Sequence, residues 1–167
     1  SYTDLKNEKM SRTIISDTSF NSASLRNADL SDAEISGNVD FTNADLYGAD
    51  LTNVECYNDC TVTFVNANLR YVNFGYAYLP NSNFQGSDLR GADFTEATFP
   101  HAVFDENTII DKNALAGITL DNSDFSNFNL SGYALNGTSL KGVNLSGRDF
   151  SGYDFTGANF NGANLSG

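Results

Sequence analysis

Few side chains in this 167-residue sequence could carry chemistry: one histidine, two cysteines and 21 carboxylates. Catalysis by proton transfer or nucleophilic attack needs a nucleophile held beside a base, and no such pair is apparent. We interpret His101, the only histidine, as an exposed turn residue. The sequence therefore predicts a protein that is not an enzyme and that has no cofactor or metal site.

The two cysteines, Cys56 and Cys60, lie four positions apart. Two cysteines argue against a disulfide scaffold, and we interpret them as free thiols, one of them buried. The alternative is a redox pair or a metal site, although no second pair of ligands is nearby.

The composition argues against three classes: nucleic-acid binders with a basic surface, disordered chains and proteins that insert into a membrane. Acidic residues number 21 against nine basic ones, for a net charge of −12, which excludes nucleic-acid binding through a basic footprint. Apolar residues make up 40% and charged residues 18%, too apolar and too weakly charged for a disordered chain. The apolar runs are only a few residues long, so we expect no membrane insertion.

A large apolar residue recurs every five positions, and we call it the centre of its unit. The centres run from Phe20 to Ile35, from Phe41 to Cys56, from Phe64 to Ile109 and from Leu115 to Leu165. The residue two before each centre is usually small, the residue just before it is often Asp or Asn, and Asn or Gly prevails two after it. Because Asn and Gly tolerate a positive φ, each unit is expected to end in a tight turn.

A period of five fits neither regular element. On an α-helix, centres about 140° apart would cover every face. On a strand, an odd period would send successive centres to opposite faces. The pattern instead predicts a chain that bends repeatedly around one axis and buries its centres by stacking, which is a solenoid.

Units such as Ala44–Gly48, Ala92–Glu96 and Ala158–Gly162 resemble the A(D/N)LXX motif of the pentapeptide-repeat family. The resemblance covers roughly residues 18–167. It implies an all-β solenoid, a right-handed quadrilateral parallel β-helix with four units per coil and about seven coils. It leaves the location open between export, to a periplasm or thylakoid lumen as for many cyanobacterial members, and the cytoplasm.

The repeat predicts the domain boundaries. Residues 1–17 carry no repeat and are interpreted as an N-terminal cap, with a short helix over Thr3–Arg12. Residues 18–167 form the β-helix, with bulges near 37–38, 57–61 and 110–114. The last coil has no cap, so we expect either that a partner covers it or that the native chain continues, and both alternatives allow an end-to-end homodimer through this coil.

Stacking residues 20 positions apart sorts the outward side chains into faces. One face has acidic side chains and no Lys or Arg at its outward positions. This candidate acidic strip consists of Asp29, Asp32, Asp50, Asp93, Glu96 and Asp154. The strip could imitate a phosphate backbone, or its Asp residues could merely supply hydrogen bonds and solubility.

Two further sets of residues are candidate contact surfaces. Exposed aromatic and proline side chains suit protein recognition. This candidate interaction surface consists of Tyr71, Tyr76, Tyr78, Pro80, Pro100 and His101. A candidate C-terminal ridge has large residues where small inward ones are usual: Phe128, Tyr133, Arg148 and Tyr153. We expect them to splay outward, with a cation–π contact between Arg148 and Phe128.

These features favour a rigid scaffold or protein-interaction module whose partner is another protein. The alternative is an acidic mimic of DNA that binds a DNA-handling enzyme such as a type II topoisomerase, as some members of the resembled family do. The net charge and the acidic strip fit this alternative, whereas the lack of a C-terminal pairing helix and of long loops argues against it.

Overall fold

The computed structural model describes residues 3–167, apart from the side chain of Asp59, as an all-β solenoid. Its strands are β1 (Ile14–Ser16), β2 (Glu34–Asp40) and β3 (Glu55–Thr63), which form one parallel sheet in that order. Elsewhere single parallel bridges join residues 20 to 23 positions apart, as between Asp4 and Ser24 or Asp45 and Asn68. Each unit thus stacks on the unit four before it, and the predicted solenoid is confirmed.

Each unit closes with a turn that its sequence specifies. In the unit centred on Leu30, Ala33 donates its N–H to the Leu30 carbonyl oxygen at 3.1 Å, and Asp32 between them has φ 57°. The carboxylate of Asp29 accepts the N–H of Ser31 at 3.0 Å. The recurrent Asp or Asn before the centre therefore satisfies a backbone donor that the turn would leave open.

The core is a set of vertical columns of buried centres. One column is a ladder of parallel phenylalanine rings with centroids 4.9 to 5.3 Å apart. Its members are Phe20, Phe41, Phe64, Phe84, Phe104 and Phe125. Burying each such ring contributes about 1.5–3 kcal/mol, so the stack is stabilised by its centres although regular strands are short.

The helix predicted at the N-terminus is wrong. Within the described residues 3–17 no helix forms, and Asp4 and Lys9 instead make parallel bridges with Ser24 and Asp29. Leu5 and Met10 pack against the core as centres of ordinary units. The sequence does not reveal these units because the residues two before their centres, such as the exposed Glu8, are not small. Ser1 and Tyr2, also assigned to the cap, lie outside the described residues.

Interruptions of the repeat leave the stack intact. The register shifts between Ser36 and Asn38 of β2, opposite 57–61 of β3. A later shift lies before residue 110, because Ile110 is buried while Ile109 is exposed, so the centre assigned to Ile109 was one residue early. No helix in residues 3–167 is both long and apolar enough to cross a membrane.

Candidate functional site

An open cavity of about 760 Å³ lies on one face of the solenoid, and we call it the Tyr–Pro groove. Its lining residues come from three successive coils: Cys56, Tyr57, Asn58, Tyr78, Pro80, Asn81, Pro100 and His101. Backbone hydrogen bonds from Cys56 to Tyr78 (2.9 Å) and from Leu79 to Thr98 (3.0 Å) hold these coils in register. The groove is therefore built on paired backbone rather than on a mobile loop.

The prolines fit this face because of how its turns are satisfied. Most units use an Asp or Asn before the centre to accept the N–H of the residue after it. Tyr78 and Thr98 stand at that position before Leu79 and Phe99, and the residues that follow those centres are Pro80 and Pro100. Proline has no N–H, so the missing acceptor leaves no donor unpaired. Because Pro80 needs no acceptor, residue 78 need not be Asp or Asn and can be a tyrosine that faces solvent.

Tyr57 was missed by sequence reasoning. Tyr57 directly follows the centre Cys56, just as Pro80 directly follows the centre Leu79. The register shift places Tyr57 and Pro80 more than 20 residues apart, so a fixed spacing of 20 does not align them. The Tyr57 hydroxyl donates a hydrogen bond to Glu55, and this bond raises the pKa of Tyr57. The side chains of Tyr57 and Tyr78 are 43% and 44% exposed.

A disulfide joins Cys56 and Cys60 beside the groove, with their Cα atoms 5.8 Å apart. The prediction of two free thiols is therefore wrong, and no cysteine in residues 3–167 is free. Spacing alone could not reveal the bond, because the extra residues of the bulge bring both sulfur atoms together. Both cysteines are buried, and Asn81 donates a side-chain hydrogen bond to the carbonyl oxygen of Cys60 at 3.4 Å.

Four residues of the predicted interaction surface line the groove: Tyr78, Pro80, Pro100 and His101. Tyr71 and Tyr76 do not. Tyr71 packs its ring against the edge of Tyr47 at 5.3 Å, on another face. Tyr71, Tyr76 and His101 all have φ near 60°, a region that costs a bulky residue free energy.

The acidic strip is interrupted and partly neutralised. Asp29 and Asp50 are bridged neighbours, but Asn73 separates them from Asp93. The expectation that no cation accompanies the strip is wrong once residues 3–17 join the stack. Lys9 pairs with Asp29 through a backbone β-bridge, and the Arg12 guanidinium lies 3.6 Å from the Asp32 carboxylate.

Hydrogen bonds occupy many of the strip carboxylates. The Ser31 hydroxyl and N–H bond to Asp29 and lower its pKa, and Thr95 does the same to Asp93. At the far end of the strip, bonds from Thr156 lower the pKa of Asp154. These aspartates accept hydrogen bonds within the turns, so the structure of the turn explains why Asp occurs before the centre.

The prediction that the ridge splays outward is wrong for all four residues. The side chains of Phe128 and Tyr133 are buried, and the Tyr133 hydroxyl donates to the Ile110 carbonyl oxygen at 3.2 Å. Arg148 donates to the carbonyl oxygens of Phe128 and Phe125, rather than stacking on the ring. Tyr153 packs against the core and donates to the Leu130 carbonyl oxygen at 2.7 Å.

Space for these large side chains comes from looser coils. On two faces of the last coils, parallel β-bridges join residues 139 to 159 and 144 to 164. No such bridge forms on the other two faces, at residues 129, 134, 149 and 154. The cation–π partner of Tyr133 is Lys112, whose Nζ lies 3.8 Å from the ring centroid. Burial raises the pKa of Tyr133, with a smaller contribution from Asp111.

Within the described part of the chain, no group of three or more His, Cys, Asp or Glu side chains is placed to hold a metal ion. Among the described residues that line the Tyr–Pro groove there is one histidine and no carboxylate. The described lining residues offer aromatic rings, proline rings and side-chain amides.

Comparison with known proteins agrees with the repeat. The family model for pentapeptide repeats matches residues 37–55, 63–105, 115–152 and 135–167, in eight copies. The chain belongs to the pentapeptide-repeat family. Proteins of this family serve generally as structural or interaction modules. None of the curated proteins matches this chain.

Solved structures of pentapeptide-repeat proteins are among those that the chain resembles. Trypsin-treated QnrB1, a plasmid-mediated fluoroquinolone resistance protein, is 19% identical over 98% of this chain and 89% of its own, with a TM-score of 0.53. A pentapeptide-repeat protein from the Arabidopsis thaliana thylakoid lumen is 31% identical over 55% of this chain and 61% of its own, with a TM-score of 0.36. HetL from the cyanobacterium Nostoc, involved in heterocyst differentiation regulation, is 18% identical over 98% of this chain and 85% of its own, with a TM-score of 0.33. The likeness to QnrB1 concerns the fold.

Proposed function

We propose that the chain is a rigid, non-enzymatic scaffold that binds another protein through the Tyr–Pro groove. The observation that carries this proposal is the groove itself. It is an open cavity of about 760 Å³ with two tyrosines that are each more than 40% exposed. Tyrosine rings give a large contact area and a hydroxyl at low cost in side-chain entropy, which is why they are frequent at binding hot spots.

Rigidity supports the same conclusion. The coils below the groove are paired from Cys56 to Tyr78 and from Leu79 to Thr98, and the disulfide fixes the bulge that contains Tyr57. A surface that is already ordered loses little conformational entropy when a partner binds. The prolines at residues 80 and 100 add to this, since proline restricts φ.

Position-specific photo-cross-linking tests the proposal. A benzophenone amino acid replaces Tyr78 in one protein and Tyr71, an exposed tyrosine outside the groove, in the matched control. We expect the Tyr78 position to cross-link one protein in its native cell extract, and the Tyr57→Ala substitution to abolish that product. Equal cross-linking from both positions, or a product that survives Tyr57→Ala, contradicts the proposal.

The net charge of −12 favours a second candidate, an acidic DNA mimic that binds a DNA-handling enzyme such as a type II topoisomerase. Asp29 and Asp50, which lie on adjacent coils, are the carboxylates it would use. Supercoiling by a purified type II topoisomerase is the test. Inhibition by the wild-type protein that is lost in an Asp29→Asn/Asp50→Asn variant would support the mimic.

For the scaffold itself we propose the right-handed quadrilateral form, with about seven coils, that a repeat of four units per coil favours. An end-to-end homodimer through the last coil is a further proposal. Phe155 and Phe160 are only partly buried there, and Leu165 is 51% exposed. The molar mass from light scattering tests it: a dimer that Leu165→Lys converts to a monomer supports it, and a monomer in both contradicts it.

A further inference from the structure

The face that carries the acidic strip has a regular backbone ladder in its first coils. Between the units centred on Leu30 and Leu51, Leu30 donates its N–H to Asp50 at 2.8 Å, Asp32 to Thr52 at 2.8 Å, and Asp50 to Ala28 at 2.9 Å. The units centred on Phe74 and Phe94 repeat this pattern. Each outward N–H and C=O group of the unit is paired there.

The ladder stops one coil later. Within residues 3–167, the N–H groups of Phe94 and Glu96 donate no hydrogen bond, and the Ala92 carbonyl oxygen accepts none. The chain that should pair with them turns on itself instead, because Ala114 donates its N–H to Asp111 at 2.9 Å and Ala116 donates to Asn113 at 3.3 Å. Two donors and one acceptor that are paired in the coils below are left open.

A cavity of about 380 Å³ occupies this position, and we call it the ladder gap. Its lining residues are Ala92, Asp93, Phe94, Thr95, Glu96, Asn113, Ala114, Ala116, Gly117 and Ile118. The opening reaches the core: Ala92 is partly exposed, whereas the equivalent Ala28 and Ala49 are 0% and 1% exposed. Small residues, Ala114, Ala116 and Gly117, are on the far wall.

The charge of the ladder gap has one sign. Asp93 and Glu96 are carboxylates at its rim, and no Lys or Arg is among the lining residues. Thr95 donates its N–H and its hydroxyl to Oδ1 of Asp93, at 2.9 and 2.7 Å, so Oδ2 stays open to a cation from outside.

We propose that the ladder gap binds an extended, basic segment of a partner protein, which completes the interrupted ladder. Its backbone accepts from the N–H groups of Phe94 and Glu96 and donates to the Ala92 carbonyl oxygen, as in recognition by strand addition. Small side chains of the segment face Ala114 and Ala116, and a lysine or arginine pairs with the rim carboxylates. The ladder gap shares no lining residue with the Tyr–Pro groove, so this proposal is independent of the proposed function.

Amide hydrogen exchange followed by NMR tests both the gap and its occupant. In the free protein the amides of Phe94 and Glu96 should exchange at least about tenfold faster than those of Phe74 and Tyr76, which are paired. An acetylated Ala-Lys-Ala-Lys-Ala peptide should then slow exchange at Phe94 and Glu96. The control is the same peptide with alternate amides N-methylated, which keeps the charge but cannot complete the ladder.

Three substitutions separate specific docking from attraction to an acidic face. Glu96→Gln should raise the peptide Kd about two- to fivefold, whereas Asp32→Asn, the same position three coils away, should leave it unchanged. Ala116→Leu should block the gap and abolish protection.

Three outcomes overturn the proposal. The first is no protection at saturating peptide, and the second is equal protection by the N-methylated peptide. The third is that Phe94 and Glu96 are already protected in the free protein in proportion to its concentration, since a second copy of the chain would then occupy the gap.

Discussion

His101 stands in a position that its neighbours on the same face fill with asparagine. Its φ is 60°, and Asn58, Asn81 and Asn122 occupy the corresponding turns with φ of 56°, 57° and 57°. Asparagine adopts this left-handed region more readily than histidine, because its short polar side chain can hydrogen-bond locally. The substitution His101→Asn should therefore stabilise the fold.

The size of the effect follows from the conformation. A left-handed φ costs an ordinary residue roughly 1–2 kcal/mol, of which asparagine avoids a part, so we expect a gain of about 0.5–1 kcal/mol. The imidazole is exposed, so its loss removes no buried contact that would offset the gain. For a chain of this size, 1 kcal/mol corresponds to about 2–4 °C in Tm.

Thermal and denaturant unfolding measure the change, and a reverse substitution provides the control. Asn122 lies one coil above His101 in the same column, and Asn122→His should lower the free energy of unfolding by a similar amount. Because His101 lines the Tyr–Pro groove, His101→Asn should also weaken partner binding while it stabilises the fold. A destabilised His101→Asn protein, or an Asn122→His protein as stable as wild type, would refute the reasoning.

Two further predictions concern the disulfide and the acidic strip. Reduction of the bond between Cys56 and Cys60 by a dithiol opens a five-residue loop. It should lower the free energy of unfolding by about 2 kcal/mol and Tm by about 4–8 °C. A Cys56→Ser/Cys60→Ala variant should match the reduced protein and ignore reductant, and a Tm unaffected by reduction would contradict the role of the bond. Asp29→Ala should cost about 1 kcal/mol because Ser31 loses its acceptor, whereas Asp29→Asn keeps the acceptor and should cost little. Hydrogen bonds from Ser31 hold the pKa of Asp29 below its ordinary 3.8, so the stability that the carboxylate adds is complete above pH 3.8 and is lost as the pH falls through the lowered value. Denaturant unfolding between pH 7 and pH 2 should show this loss in wild type and a smaller one in Asp29→Asn, and equal losses would be evidence against it.

The five-residue period was sufficient to predict the solenoid. Centres such as Phe64 and Leu69 are fully buried, and the turns at positions such as Asn27 have the positive φ that their residue type suggested. Local turn chemistry and burial both act within one unit, so a single unit already contains the signal. The same signal placed Pro80 and Pro100 together, because no insertion separates them.

Errors arose where several units act together. Phe128 and Tyr133 were expected outside because one isolated corner has no room, yet the coils around them separate and admit both rings. Tyr57 was not predicted at the groove, because the residues on which it stacks depend on the insertions between it and Pro80. The disulfide and the ladder gap likewise depend on where the chain departs from its repeat, and a periodic pattern gives no information on that.

Binding of the cross-linked partner, measured by titration calorimetry, tests the central claim most directly. The first variant is Tyr57→Ala/Tyr78→Ala, within the groove, and the matched control is Tyr71→Ala/Tyr76→Ala, which removes two exposed tyrosines outside it. If the groove is the contact surface, the first variant loses at least 2 kcal/mol of binding free energy, about thirtyfold in Kd, and the control stays near wild type. Equal affinities for the two double variants would contradict the account.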